Sequence, residues 1–288
     1  MEIIKSDILN SLTKPKQDSH KGQNGRLLII AGSEKFHGAL LMAIKTASRI
    51  VDMVYVYSPA NVGLIDKLKS EIAVFINVFE KELWQTIEMV DAILIGPGLE
   101  ENEINKKLVH KILKKYPNKK IVVDATAFWH LDPLLLHKNC VVTPHSREFF
   151  NTFNCDPKPE NVLAMAKKYN STVILKGKYD YVSDGKKFYE NKTGNVGMTK
   201  GGTGDVVAGI ISAFLCTNEP LISALAGIYL AGYTGDKLYK QVGTFYNAED
   251  LIGELGEVLG KRNIDLNIYF KDVNLVQVDT KMGLIRKI

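Results

Sequence analysis

Six short runs, Leu27–Ala31, Met53–Tyr57, Ala92–Ile95, Ile121–Val123, Cys140–Val142 and Thr172–Leu175, are apolar on both alternating faces of an extended backbone. A strand that hides both faces belongs inside a sheet covered on both sides, which is the setting of parallel strands. Helical patterns fill the intervals, over Ala39–Ile50, Asn102–Lys115 and Glu160–Tyr169. This alternation predicts an α/β fold in three layers, α/β/α, with a mostly parallel central sheet. No Pro/Gly/Ser-rich linker and no internal repeat interrupts the 288 residues, so the chain reads as a single domain over 1–288.

After Leu175 the pattern changes. Tyr179–Ser183 and Lys187–Glu190 flank Asp184-Gly185, a hairpin signal. A glycine-rich stretch, Gly194 to Gly204, leads into apolar helical segments over Asp205–Cys216, Leu221–Leu238 and Ala248–Leu259. The C-terminal extension, 260–288, carries three short strand patterns, Asn267–Phe270, Leu275–Val278 and Leu284–Arg286, expected to add a sheet edge or an oligomer contact.

Composition narrows the function classes. The net charge of +5 is spread along the chain, and the densest basic run, Lys111 to Lys120, contains Pro117 and Asn118. That run reads as a solvated helix end and turn, not a nucleic-acid patch, while a mildly basic protein suits an anionic substrate. The three cysteines, Cys140, Cys155 and Cys216, are far apart, odd in number and form no CxxC, as expected of reduced thiols in a cytoplasmic protein. No signal-peptide pattern and no membrane-length apolar run is visible. The histidines show no zinc-ligand spacing.

The strongest chemical signal is Gly194-Asn195-Val196-Gly197-Met198-Thr199-Lys200-Gly201-Gly202-Thr203-Gly204-Asp205, with five glycines in the eleven residues before Asp205. Glycines let the backbone turn tightly and approach a ligand. The free amides at the start of the following helix favour an anion, so the stretch reads as a phosphate cradle, to which the Thr203 hydroxyl adds a donor. Asp205 is either an ordinary N-terminal helix carboxylate or a functional one. Beside bound phosphate a carboxylate is electrostatically unfavourable without a task, and general base toward an attacking hydroxyl is the obvious one. The spacing is not that of a Walker A loop, and the first strand lacks GxGxxG.

Gly-Thr-Gly-Asp opening an apolar helix resembles the anion hole and base of ribokinase-like kinases. The fuller string GNVGMTKGGTGDVVAGI resembles the ADP/ATP-dependent NAD(P)H-hydrate dehydratase family, and four further segments agree in order. These are Lys21 to Arg26 leading into LLIIAGS and Phe36-His37-Gly38-Ala39; Ile95-Gly96-Pro97-Gly98-Leu99; Val142-Thr143-Pro144-His145-Ser146-Arg147-Glu148; and Leu175-Lys176-Gly177. The resemblance runs from about 14 to 259. Glu100, Thr126 and Thr199-Lys200 depart from the family pattern.

The resemblance implies a ribokinase-like fold in which Ala39, Gly98 and His145 line a hydrated-nicotinamide site faced by Asp205. It implies that Lys176, Gly177, Lys178, Tyr179, Asp180 and Gly201, Gly202, Thr203 and Gly204 border an adenine nucleotide. It further implies magnesium, ADP or ATP as phosphoryl donor, and a homo-oligomer such as a tetramer; no metal ligands are assigned. The implied reaction is phosphorylation of the ring hydroxyl of hydrated NADH or NADPH, then elimination of phosphate. A small-alcohol kinase acting on hydroxyethylthiazole or hydroxymethylpyrimidine would use the same cradle and aspartate. A non-catalytic nucleotide-binding module would gain nothing from Asp205.

Overall fold

The computed structural model describes residues 1–59 and 74–263. The strands are β1 (Glu2–Ile3), β2 (Arg26–Ile30), β3 (Met53–Tyr57), β4 (Ile76–Asn77), β5 (Ala92–Ile95), β6 (Lys120–Val123), β7 (Cys140–Val142), β8 (Thr172–Leu175), β9 (Asp180–Ser183) and β10 (Phe188–Asn191). They form one sheet in the order β1-β10-β9-β8-β7-β6-β5-β2-β3-β4. The run from β8 to β4 is parallel throughout, and the hairpin β9–β10 adds antiparallel to β8. The mostly parallel sheet expected from the doubly apolar runs is therefore present.

Side-chain alternation divides each central strand between two cores. Leu27 and Ile29 of β2, Leu94 of β5, Val122 of β6 and Ile174 of β8 point to one face. Leu28, Ile30, Ile93, Ile95, Ile121, Val123, Val173 and Leu175 point to the other. The first face is covered by α1 (His37–Ala47), α6 (Thr203–Leu215), α7 (Pro220–Val242) and α8 (Ala248–Asn263), and the second by α2 (Leu83–Met89), α3 (Glu103–Lys115), α4 (Ser146–Phe153) and α5 (Pro159–Lys168). Burying one such aliphatic side chain contributes about 1.5–3 kcal/mol, which is why strands apolar on both faces demand two helical layers.

Local sequence explains the helix ends. Asn102 caps α3 by accepting the Asn105 N–H at 2.9 Å. Pro159 and Pro220 occupy the first turns of α5 and α7, where a missing N–H costs nothing. The expected boundaries shift by a few residues. α1 starts two residues before Ala39, and α7 runs four past Leu238 to Val242, where Gly243 with its φ of 62° ends it. α6 begins at Thr203, so Asp205 is its third residue. The two-residue strands β1 and β4 and the helix α2 had no expectation in sequence. The three C-terminal strand patterns lie outside the described residues.

Candidate active site

From β2 the chain moves outward to β3 and β4, and returns to the other side of β2 at β5. At such a switch point the loops leaving adjacent strands diverge and open a crevice at the C-terminal ends. Here the crevice lies between the loop after β2 and Gly96-Pro97-Gly98 after β5, joined by the Gly32 N–H to the Pro97 carbonyl at 2.8 Å. Gly98 adopts φ 66°, and a Cβ on it would fall 2.3 Å from the Phe36 carbonyl oxygen and 3.0 Å from the Ala39 Cβ. Glycine is therefore required there, and Ala39 and Gly98 are neighbours in one wall. A cleft of about 480 Å³ opens beside them, lined by Ala39, Gly201, Gly202 and Asp205 together with Lys35, Phe36 and Asn247.

The cradle forms at the start of α6. Gly202 takes φ 91° immediately before the helix, a left-handed turn that exposes the amides behind it. Among the described residues the N–H groups of Gly204 and Asp205 have no acceptor in the protein, whereas Val206 already bonds back to Gly202. Two free amides on a helix axis suit a phosphate. The Thr203 hydroxyl differs from expectation. It donates inward, toward the carbonyls of Met198 (2.6 Å) and Lys200 (2.9 Å), so its oxygen braces the loop instead of facing a ligand.

A brace of side chains holds the rest of the loop. Asp236 of α7 accepts the Gly194 N–H and the Asn195 amide, each at 3.0 Å. The Tyr246 hydroxyl donates to Asn195 Oδ1 at 2.7 Å. Lys200, a departure from the family pattern, reaches the Thr244 and Tyr246 carbonyls and ties the loop to the connection before α8.

Charge gathers around Lys176 at the end of β8. Its ammonium bonds Asp124 Oδ1 at 2.8 Å, and lies 3.9 Å from the place a Cβ on Gly204 would take. Burial works to lower the Lys176 pKa, but Asp124, Glu148 and Asp205 outweigh it and hold the value above the usual lysine range. Burial pushes the Asp205 carboxyl up to about 7, the Asp124 charge adds to this, and Lys176 opposes it. Burial likewise pushes Glu148 up to about 7, against the pull of Lys176 and a backbone hydrogen bond. A carboxyl poised near neutrality in a cleft is suited to proton transfer.

His145 caps α4: its Nδ1 accepts the N–H groups of Arg147 and Glu148 at 3.1 and 3.2 Å, while Glu148 Oε2 accepts the His145 N–H at 2.8 Å. The ring's other nitrogen, Nε2, lies 3.4 Å from Glu148 Oε1. The backbone of His145 pairs with that of Lys176, which brings His145 to the Lys176 side of the cleft. Gly177 to Asp180 form the turn between β8 and β9. Asp180 closes that turn by accepting the Gly177 N–H at 3.1 Å and the Asn191 amide at 2.9 Å, leaving Lys178 and Tyr179 exposed.

All the residues singled out in sequence thus stand around the C-terminal ends of β2, β5, β7 and β8 and the start of α6. Sequence reasoning missed Asp124 as a partner of Lys176, and missed Asp236, Tyr246 and the cleft residues Lys35 and Asn247. Asp124 ends an apolar strand, the one signal that pointed to it; the others carry no local signal. Among the described residues no group of three or more His, Cys, Asp or Glu is placed to hold a metal ion.

Fold and cradle together define the class: the protein is ribokinase-like. It superposes on a ribokinase-like superfamily protein from Enterococcus faecalis with a TM-score of 0.83 at 26% identity, over 90% of this chain and 95% of the other. The same fold is found in the ADP/ATP-dependent NAD(P)H-hydrate dehydratase from Bacillus subtilis co-crystallized with ATP/Mg2+, with a TM-score of 0.76 at 23% identity, over 90% and 98% of the two chains. The model of the NAD(P)H-hydrate dehydratase family matches residues 27–256, and the chain belongs to that family. It is 38% identical over 262 residues to the bifunctional NAD(P)H-hydrate repair enzyme Nnr of Methanocaldococcus jannaschii, covering 87% of this chain and 51% of that protein. The chain therefore spans about half the length of that relative. It is 33% identical over 264 residues to the ADP-dependent (S)-NAD(P)H-hydrate dehydratase of Nitrosopumilus maritimus, covering 85% and 91%.

Proposed function

We propose that the protein restores NADH and NADPH from their hydrated forms, using ADP or ATP as phosphoryl donor. The observation that carries this reading is the placement of Asp205: a carboxyl in the cleft wall, adjoining two unpaired amides and an ammonium, and pushed by burial up to about 7. Ala39, Gly98 and His145 would hold the hydrated ring. The turn from Lys176 to Asp180 and the cradle from Gly201 to Gly204 would hold the nucleotide.

The chemistry has two stages. Asp205 takes the proton of the ring hydroxyl as its oxygen attacks the terminal phosphorus, and the shortened nucleotide leaves. The carbon–oxygen bond then breaks, pushed by the ring nitrogen. Phosphate departs with the bonding electrons, and the adjacent ring carbon gives up a proton to restore the double bond. The protein's contribution is alignment and a water-poor, charge-matched wall. The described residues form no protein cage for magnesium: Asp124 is engaged by Lys176, and Glu148 by the His145 amide. An ion carried by nucleotide phosphates and water needs none, and it would serve to neutralise phosphate charge.

Separate, unpaired cysteines support a cytoplasmic setting. Among the described residues no helix is long and apolar enough to cross a membrane. A homo-oligomer is part of this proposal, to be measured by light scattering. The deciding experiment incubates hydrated NADH with magnesium and each nucleotide. Phosphorus NMR and absorbance should show NADH, the dephosphorylated nucleotide and free phosphate in equal amounts. A persistent phosphomonoester from a vitamin-precursor alcohol, with no NADH formed from its hydrate, would replace the dehydratase by a kinase.

A further inference from the structure

The turn that follows β6 is built against ordinary backbone preference. Ala125 has φ 49°, a left-handed conformation that glycine and asparagine visit routinely and alanine does not. Gly96 lies against this turn, where a Cβ would fall 1.7 Å from the Asp124 carbonyl oxygen. The Asp124 N–H is tied to the Ile95 carbonyl at 3.1 Å. An unfavoured conformation persists only where its surroundings over-determine it, and such places cluster at functional sites.

What this turn presents is a carboxylate only 2% exposed. Two donors converge on its Oδ1: the Lys176 ammonium at 2.8 Å and the Thr143 hydroxyl at 2.5 Å. Three strand ends, of β6, β7 and β8, therefore meet at one oxygen. The reaction proposed above assigns Asp124 and Thr143 no task. Lys176 connects them to the cradle, because its Nζ stands 3.9 Å from where a Gly204 Cβ would be.

A lysine ammonium is a point charge on a flexible four-carbon stem. Around Lys176 stand Asp124 from the β6 end, Glu148 of α4 with its cap His145, and Asp205 of α6. The hydrogen-bonded partner among them is Asp124. Anchored there, the ammonium keeps its other N–H bonds for an anion on the Gly204 and Asp205 amides. Released, it would swing to Asp205, whose carboxylate would then be paired and poorly placed to accept a proton.

We infer that Asp124 and Thr143 are positioning residues that aim the Lys176 ammonium at the transferring phosphoryl group and keep it off Asp205. This rests on the nucleotide-using reading of the site.

Steady-state rates of Asp124→Asn, Thr143→Val and Thr143→Ser, each checked for folding by circular dichroism, test it. Asp124→Asn should lower kcat roughly 100-fold, the cost of misplacing a group in a phosphoryl-transfer site, while nucleotide KM changes by less than about threefold. Its acidic pH limb should move to lower pH, because the Asp124 charge that raises Asp205 is gone and Lys176 then pairs with Asp205. Thr143→Val should cost about tenfold, the worth of one hydrogen bond to a charged group, and Thr143→Ser should restore the rate to within about twofold. An Asp124→Asn enzyme keeping more than about a third of kcat would overturn the inference. So would a Thr143→Ser enzyme as slow as Thr143→Val, or an altered magnesium requirement in place of the pH shift. A measurement on the unmodified protein needs no variant: competitive acetylation read by mass spectrometry. ADP or ATP should protect Lys176 while AMP does not; equal protection by AMP, or protection by none, places Lys176 away from the terminal phosphoryl and sinks the idea. Protection by ADP or ATP with no turnover of hydrated NADH would instead remove the proposed substrate and leave the positioning role standing.

Discussion

At Asp205 the burial that makes a stronger base also opposes folding. Its carboxyl rises from an ordinary 3.8 to about 7. Below about pH 4 the folded and unfolded chains are both protonated there, and the penalty is absent. Between about 4 and 7 the unfolded chain ionises while the folded one does not, so the penalty grows as pH rises and reaches its full size above about 7. Asp205→Asn removes that titration. Scanning calorimetry should show the ligand-free variant melting above wild type at pH 8, by about 2–4 °C for each kcal/mol relieved, with no advantage near pH 4. The same variant should turn over roughly 10²–10⁴-fold more slowly, with nucleotide affinity close to wild type. Retention of more than about a tenth of the rate would exclude Asp205 as the base. For the wild type, kcat/KM should fall as pH drops below about 7, since the base must be ionised to act.

The element that matters most is the loop entering α6, and its parts divide into cradle and brace. Gly204 belongs to the cradle: the direction of its absent side chain runs toward the Lys176 ammonium. Gly204→Val should put methyl groups where the proposed phosphate would sit and weaken nucleotide binding by roughly tenfold or more, the worth of a lost hydrogen bond to a charged group. Calorimetric titration of the folded variant checks it, and unchanged affinity together with an unchanged rate would mean that the loop does not hold phosphate. Asp236 belongs to the brace, 42 residues from Gly194 in sequence. Asp236→Ala strands the Gly194 N–H and the Asn195 amide, at a cost of about 1–3 kcal/mol. A lower melting temperature and a raised nucleotide KM should appear together; a variant with wild-type melting and KM would show that the loop holds its shape without α7. The glycines of this loop were legible in sequence because flexibility is a local property. The brace was not, because Asp236 looks like any other helix-surface acid until α7 packs beside the loop.

Across the whole molecule, one helical layer depends on close approach between α6 and α7. A Cβ on Gly227 would stand 2.4 Å from Ile211 Cγ1 and 3.2 Å from its Cα. Gly227→Val should therefore overpack this layer by about 1–3 kcal/mol and lower the melting temperature by several degrees, with kcat at low temperature little changed; an undiminished melting temperature would show that α6 and α7 can move apart freely. The sheet itself was largely written in the chain. Strands β3, β5, β7 and β8 fall where their apolar runs do, because a run apolar on both faces has only one stable setting. Strands β1 and β4, two residues each, exist through their pairing with β10 and β3 and carry no periodic signal. By itself, then, the sequence determined the layered architecture, the glycine-rich turn into α6 and the place of Asp205 beside it. Those follow from hydrophobic alternation, glycine and helix polarity, which act over a few neighbouring residues. Only the tertiary structure decided that Asp124, 52 residues from Lys176, would hold its ammonium, and that the Thr203 hydroxyl would turn inward. Ion pairing and hydroxyl direction depend on which strand ends the sheet order brings together, and no local pattern encodes that order.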